Sequence, residues 1–465
     1  MNHPKRSIGT VVMAAGKGVR MRSPVTKMLM PILGRAVFQF PVERALALSD
    51  GPVVVVAGDA LQEMQKLLPA TERLRYALQP QPLGTADAVK CGLAALPDCD
   101  EVLILNGDVP CVSDALLGRL VEKHLSRSSE VSFIAFEPPD PTGYGRVISC
   151  EGVAVGIKEE KELEPDERSL RVVNAGLYLV RATTLAEFLD VNRPSAKQKE
   201  YLLTDVVSFV ADRHGITEVL LAEDPGEVAG INNRAELADV TERIRSQRNR
   251  SLMVSGVGMP QPGTVDVDFS AEVGHDTVLE PGVSLRGKTR IGAHCTVGQG
   301  TVVVDCTIGD NVKVLPYCVL ESSIIEDGCG VGPFAHTRTG TVLKAGAKMG
   351  NFVETKKTVL GPGSKANHLS YLGDATIGSG VNVGAGTITC NYDGYKKYPT
   401  RIDDGAFIGS DTQLVAPVTV GKDAVVAAGT TVTRDVPPGA LALSRVEQVH
   451  RDGYAAKKRG RMKKD

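Results

Sequence analysis

The amino-acid sequence predicts two folds in tandem: an α/β domain built on a mostly parallel sheet, followed by a left-handed parallel β-helix of hexapeptide repeats. A change of period carries that expectation. Up to about residue 250, short Val/Ile/Leu runs alternate with longer amphipathic stretches, the order of a β-α-β-α chain. From about Val265 the period becomes six, with an aliphatic residue, often followed by Gly, opening each unit. Composition agrees, because 49 glycines, no tryptophan and 4% aromatic residues suit a narrow repetitive scaffold better than a core of large rings.

In the first half, strands are expected at residues 9–15, 52–57, 101–106, 131–136 and 172–180, and helices at 38–48 and 61–68. A charged helix from Arg234 to about Arg250 reads as the connection between domains, giving boundaries at 1–233, 234–254 and 255–465. In the second half the pairs Val273-Gly274, Ile291-Gly292, Ile308-Gly309, Val331-Gly332, Ile377-Gly378 and Val420-Gly421 mark the repeat. Three units close one triangular coil with the aliphatic residues inward. The repeat implies roughly nine coils, and at ~4.8 Å between stacked strands a prism about 40 Å long. The pattern fails at 390–401, which is expected to be an extruded loop.

A net charge of -2 gives no overall attraction to nucleic acid. The basic run from Lys457 to Lys464 is expected to be a frayed, solvated tail. Nine cysteines without a C-x-x-C pair fit reduced thiols and a cytoplasmic location. The apolar stretch after the N-terminal charges is broken by Gly9 and runs into Gly16-Lys17-Gly18, so neither a signal peptide nor a membrane span is expected.

The first strand leads into Ala14-Ala15-Gly16-Lys17-Gly18-Val19-Arg20-Met21, with Lys27 beyond it. A Gly-rich turn there lets backbone N–H groups approach phosphate oxygens, and Arg20 and Lys27 carry the charge to neutralise them. Met21 stands where a dinucleotide fingerprint needs its third Gly, and no Gly-Lys-Ser/Thr follows as in a Walker A loop. A second strand ends in Gly107-Asp108-Val109-Pro110, at the edge where parallel sheets bind ligands. Asp108, with Asn232 in Gly230-Ile231-Asn232-Asn233-Arg234, offers oxygen ligands for Mg2+. Taken singly, Asp108 reads equally as a helix cap or turn residue, and Asn232 more often as a turn residue than as a ligand.

In the second half, residues 350–357, 365–374 and 384–394 are dense in Lys, Asn, His and Tyr. Polar groups on a prism with an aliphatic interior point outward, so neighbouring coils would build an outer-face site. His368, with an unperturbed pKa of ~6.5, is the candidate general base. By spacing alone it reads more often as a satisfied surface residue, and Lys356-Lys357 as a solvated edge.

Together, the Ala-Ala-Gly-x-Gly-x-Arg-Met run with Lys27, Gln79 with Leu83-Gly84-Thr85, and Gly107-Asp108-Val109-Pro110 resemble the sugar-1-phosphate nucleotidyltransferase family. Gly143-Tyr144-Gly145-Arg146, Glu159, Val173-Asn174-Ala175-Gly176, the Asn232 motif and the second-half clusters extend the likeness over essentially the whole chain. The family resembled is the bacterial bifunctional N-acetylglucosamine-1-phosphate uridylyltransferase and glucosamine-1-phosphate N-acetyltransferase family. That resemblance implies a Rossmann-like nucleotidyltransferase domain. It also implies Mg2+, the substrates UTP and acetyl-CoA, and a place in making the cell-wall precursor UDP-N-acetylglucosamine for peptidoglycan and lipopolysaccharide.

By the same resemblance Arg20 and Lys27 act catalytically on the triphosphate, while Ala14, Ala15, Gly16, Lys27, Gln79, Gly84 and Thr85 bind the nucleotide. Gly145, Glu159 and Asn174 contact the sugar, and Asp108 and Asn232 hold the metal. In the β-helix His368 is the base, Arg338, Lys356, Tyr371 and Asn382 bind the sugar phosphate, and Ala385, Asn391, Tyr392, Ser410, Ala428 and Arg445 contact acetyl-CoA. No nucleophile's role falls to Cys390. A homotrimer acting on small molecules is implied, with no nucleic acid partner and no membrane insertion. The departures from the family pattern are Val19 for Thr, Asn106 for an aromatic, Ala86-Asp87-Ala88 for Gly-His-Ala, and His336 for Arg. The competing reading is a monofunctional nucleotidyltransferase whose β-helix only regulates or assembles, against which Lys356, His368 and Asn391-Tyr392 stand.

Overall fold

The computed structural model describes residues 6–195 and 199–462, and the chain divides into two compact units, 1–247 and 248–465. In the first unit the main sheet runs Thr217–Leu221, Val131–Phe136, Val173–Arg181, Glu101–Asn106, Ile8–Ala14, Val53–Ala57, Leu74–Leu78. All neighbours are parallel except at Val173–Arg181, which is antiparallel to both of its own. Continuous apolar runs such as Val53-Val54-Val55-Val56 have no exposure because helices cover both sheet faces. The expected elements are present within a residue or two at most ends. Weaker patterns had left unannounced the strands Leu74–Leu78 and Thr217–Leu221, the hairpin Arg146–Cys150 with Val153–Lys158, and the helices Thr85–Leu93, Asp114–Arg127, Ala182–Val191 and Asp205–Asp212.

The helix Asp114–Arg127 begins on Ser113, whose hydroxyl accepts from the Leu116 amide. It buries His124, whose Nδ1 lies 2.8 Å from Ser132 Oγ and whose Nε2 lies 3.0 Å from Glu101 Oε2. All three residues have no exposure. They tie helix to sheet at the start of the strand Glu101–Asn106, away from its ligand-binding end.

The second unit is the expected prism. One face is a stack of nine short parallel strands, from Glu272–Val273 to Val418–Val420, and the remaining strands form the other two faces. Glu272 pairs with Arg290, eighteen residues on, and Arg290 with Thr307, seventeen on. Between Ala375–Ile377 and Thr400–Ile402 the step lengthens to accommodate residues 391–399, the extruded loop. The interior differs from the aliphatic expectation. Cys295, Cys306, Cys318 and Cys329 lie inside it with Thr277, Thr289, Thr301, Thr341, Thr387 and Thr412. These residues stand at the turns, where their hydroxyl and thiol groups donate to backbone carbonyls, as from Thr277 to Gly292 at 2.8 Å and from Cys295 to Gly309 at 3.1 Å. A small polar side chain there satisfies a buried carbonyl that an aliphatic one would leave unpaired. The basic tail also differs, because Tyr454–Met462 is an exposed helix rather than a frayed strand of chain. Lys463 and Lys464 lie outside the described residues.

Leu320 points into the prism with no exposure and its neighbour Val319 points outward. Leu320→Ala is expected to cost about 2–5 kcal/mol in urea unfolding, and Val319→Ala within about 0.5 kcal/mol; comparable losses for the two would contradict the inward and outward assignment.

Candidate functional site

Two parallel strands, Ile8–Ala14 and Glu101–Asn106, end side by side with Met13 paired to Asn106. The chain beyond each supplies one wall of a cleft. One part of it, a cavity of about 290 Å3, is lined by Arg20, Asp108, Gly145, Glu159, Asn174 and Asn232 among others. The adjoining part is lined by Ala15, Gly16, Lys27, Gln79, Gly84 and Thr85, and Met13, Thr85, Asn106 and Asp108 border both. Ala14 instead faces a hollow that it shares with Ala15, Gly16 and Lys17. The residues foreseen for the first site are thus gathered from distant stretches of sequence.

The charges in this cleft are paired with one another. Lys27 Nζ donates to Asp108 Oδ2 and, at 3.1 Å, to the Ile231 carbonyl. Arg20 Nη2 donates to Asn232 Oδ1 at 2.7 Å. Each foreseen metal ligand is therefore held by a foreseen phosphate-binding cation. The donor set, one carboxylate and one amide oxygen, suits a hard cation such as Mg2+ that keeps several waters. Gly230 leaves room beside them, since a Cβ there would lie 3.9 Å from Asp108 Oδ1.

Gln79 Nε2 donates to the Gly84 carbonyl at 3.2 Å and to Asp87 Oδ2 at 2.8 Å, which leaves its Oε1 as a free acceptor. Gly84 adopts φ +127, and a Cβ on it would lie 2.4 Å from the Tyr201 carbonyl oxygen, so no other residue fits. Thr85 Oγ1 accepts from the Leu203 amide at 2.9 Å and so anchors the segment it faces. Asn174 donates from Nδ2 to Tyr178 Oη at 2.6 Å and accepts at Oδ1 from the Gly176 amide at 2.9 Å. Burial pushes the Glu159 carboxyl up, partly offset by a hydrogen bond from Thr204.

On the prism, Asn351 pairs with His368 in adjacent coils. The Asp411 amide donates to the Ala385 carbonyl, and the Gly429 amide to the Ser410 carbonyl. Residues Asn351, His368, Ala385, Ser410 and Ala428 therefore follow one corner from coil to coil. Arg445 closes the column, donating from Nη2 to the Ala428 carbonyl at 2.9 Å. His368 is exposed, and its Nδ1 lies 2.8 Å from Asn351 Oδ1. An amide oxygen accepts only from N–H, so this contact assigns the proton to Nδ1 and leaves the Nε2 lone pair free.

The strands Lys348–Lys356 and Lys365–Gly373 cross this corner unbroken. On the face after it, Arg338 pairs in register with Lys356, and Glu354 with Tyr371. Arg338 also donates to Glu354 Oε1 at 2.9 Å. Tyr371 Oη and Asn391 Nδ2 both crowd Gly373, where a Cβ would lie 2.4 Å from the first and 2.7 Å from the second. Asn391 is buried at 6% exposure and donates to Asp374 Oδ2 at 2.6 Å. Tyr392 is exposed on the loop. Asn382 is set apart within the chain, because it pairs with Lys365 and Phe407 on the face before the corner. Burial pushes the Cys390 thiol up, so it is held protonated rather than as a nucleophilic thiolate.

A nucleotidyl transferase family model matches residues 9–223, a GMPPB C-terminal domain model residues 262–365, and a bacterial transferase hexapeptide (six repeats) model residues 399–434. Full-length relatives named bifunctional protein GlmU are similar throughout. That of Trichlorobacter lovleyi is 44% identical over 97% of this chain and 98% of its own. Those of Pelobacter propionicus and Thermotoga maritima are 44% and 43% identical, over 98% and 97% of this chain and 99% of their own. The chain belongs to the bifunctional GlmU family. As a GlmU-family enzyme it joins an N-terminal nucleotidyltransferase to a C-terminal hexapeptide acetyltransferase, which sets aside the monofunctional reading. Among the described residues no helix is long and apolar enough to cross a membrane.

Tyr178, Thr204 and Glu236 also border the first cavity and belong to none of the sequence motifs, whereas Tyr144 lies inside the Gly143-Tyr144-Gly145-Arg146 run without a role of its own. The sequence signal of Thr204 is slight because it takes its place through a contact with a distant segment, donating to Glu159 Oε1 at 3.3 Å. Glu236 accepts from the Asn232 amide, four residues before it, at 2.7 Å and holds that loop. Beside Thr204, Asp205 is pushed up to about 6, by burial first and by the charge of Glu162 second. A carboxyl raised in the folded state opposes folding once it ionises, so its effect is absent below about pH 4 and complete above about pH 6. Asp205→Asn is expected to melt above the parent at about pH 7, the gap closing as pH falls through that window; a gap constant with pH would place the gain elsewhere.

Proposed function

We propose that the β-helix acetylates glucosamine-1-phosphate with acetyl-CoA and that the α/β unit couples the resulting N-acetylglucosamine-1-phosphate to UTP, releasing pyrophosphate and UDP-N-acetylglucosamine for cell-wall synthesis in the cytoplasm. The assignment follows residues 1–233 for nucleotidyl transfer, 234–254 for the connecting helix and 255–465 for acetyl transfer. The observation that carries it is the corner column on the prism: a base with a free lone pair at His368, then the small residues Ala385, Ser410 and Ala428 coil after coil. A column of small side chains suits an extended thioester chain whose reactive end reaches the imidazole.

In acetyl transfer, Nε2 of His368 takes the proton from the glucosamine amine. The nitrogen bonds to the acetyl carbon, the carbon–sulfur bond breaks and the thiolate of coenzyme A leaves. Asn351 keeps the imidazole in the required tautomer. Arg338, Lys356 and Tyr371 bind the sugar phosphate, and Asn391, Tyr392 and Arg445 bind acetyl-CoA. The separation of Asn382 from Arg338 and Lys356 within one chain supports a homotrimer in which neighbouring copies complete each site.

In nucleotidyl transfer the sugar phosphate attacks the α-phosphorus of UTP in line, so positioning and charge neutralisation suffice and no protein nucleophile is needed. Arg20 and Lys27 turn from Asn232 and Asp108 to the triphosphate, and those two oxygen ligands then face Mg2+. When bound, Mg2+ would be held by Asp108 and Asn232 and would supply a hard positive charge to offset that of the triphosphate. Ala14, Ala15 and Gly16 border the phosphates, while Gln79 Oε1, held by Gly84 and Asp87, accepts from the N3–H of uracil. Thr85, Gly145, Glu159 and Asn174 frame the base and sugar.

Supplied with glucosamine-1-phosphate, acetyl-CoA, UTP and Mg2+, the protein is expected to release thiol and pyrophosphate. Asp108→Ala removes pyrophosphate release and spares thiol release. His368→Ala lowers thiol release about 10²- to 10⁴-fold and spares pyrophosphate release when the acetylated sugar is supplied. Loss of both activities from either change in folded protein would contradict two separate sites.

A further inference from the structure

We infer that His275, Asp276 and His294 form a binding site for a divalent transition-metal ion of the Zn2+ class, stapling the first two coils of the prism. The ligand-capable atoms of these three side chains all lie within 4.8 Å of one another. Asp276 Oδ2 stands between the imidazoles, 2.8 Å from His275 Nδ1 and 3.8 Å from His294 Nδ1. The two rings meet edge to face with centroids 5.0 Å apart. Small side-chain rotations bring all three donors to the ~2.0–2.2 Å that such ions require.

The backbone beneath them is fixed. Asp276 and His294 hold the same left-handed turn conformation on successive coils, with φ 57 and φ 56. The Asp276 amide donates to the Gly256 carbonyl and the His294 amide to the His275 carbonyl. Two imidazoles and a carboxylate with open positions are the donor set of zinc and related ions, whereas Mg2+ and Ca2+ favour all-oxygen shells. More than half of each side chain is exposed, at 65% for His275, 66% for Asp276 and 54% for His294, so water completes the shell. The terminal coils of a solenoid lack a neighbour on one side, so a bond across this pair of coils stabilises the end where the chain enters the prism.

The test uses full-length protein without an affinity tag, stripped by chelator and titrated with ZnCl2 by calorimetry. One equivalent per chain is expected, and Zn2+ should raise the melting temperature. His275→Ala and His294→Asn, the latter chosen because Asn tolerates the left-handed turn, should each weaken binding about tenfold or more and abolish the melting shift. Co2+ in place of Zn2+ should give a d–d spectrum without a thiolate charge-transfer band. Absence of binding to the parent, undiminished binding to both variants, or loss of binding in Cys150→Ala, which removes an exposed thiol, would overturn the site.

Discussion

The backbone hydrogen bonds between coils return the chain to the same corner after seventeen or eighteen residues, and the second unit depends on that return. A residue's column settles whether it faces the interior, a flat face or a turn, and the coils above and below repeat the setting. A site on such a scaffold is built by choosing side chains down one column. His368 takes its partner from the coil before it and stands in line with the small residues of the coils after it. The extra length in the repeat is confined to residues 391–399, which leaves the columns on either side aligned.

In the first unit the ordering comes from burial. Central strands with no exposure on either face fix where their ends lie, and side chains at those ends converge without contacting one another in sequence. The resulting cleft collects Arg20, Lys27, Asp108 and Asn232, which satisfy each other. Removing Lys27 or Asp108 leaves its partner's charge unpaired in a partly buried setting, a larger loss than that of the contact alone. The pairing also holds the four groups together at the cleft.

Much of this was legible in the sequence because each half repeats a simple pattern. The runs at Val53–Ala57 and Val131–Phe136, and the change to a six-residue period, are direct images of strands and coils. Motif residues at strand ends, such as Gly16 and Asp108, were legible for the same reason. Less visible were elements defined by their partners. The hairpin Arg146–Cys150 with Val153–Lys158 is short and half-exposed, and Thr204 and Glu236 reach the cleft through hydrogen bonds to residues far along the chain or to a neighbouring loop. The interior threonines and cysteines escaped notice because a hexapeptide pattern identifies the aliphatic position of each unit and is silent about which turns leave a carbonyl to be satisfied. The family resemblance groups Asn382 with Lys356, and register separates them onto different faces.

The two histidines His124 and His368 show what distinguishes structure from chemistry when residue types coincide. His124 stands between a serine hydroxyl and a carboxylate, the groups of an acid–base triad, yet both ring nitrogens are engaged and the imidazole has no exposure. Nothing can reach it, and its hydrogen bonds serve the packing of helix on sheet. His368 has a poorer set of partners, a single amide oxygen on one nitrogen. For the acetyl transfer proposed above that poverty is what a base requires: the contact with Asn351 restrains one ring nitrogen, and the exposed imidazole leaves the other to a substrate. A proton acceptor needs one nitrogen restrained and the other available, which a corner of the prism provides and the interior of a sheet excludes.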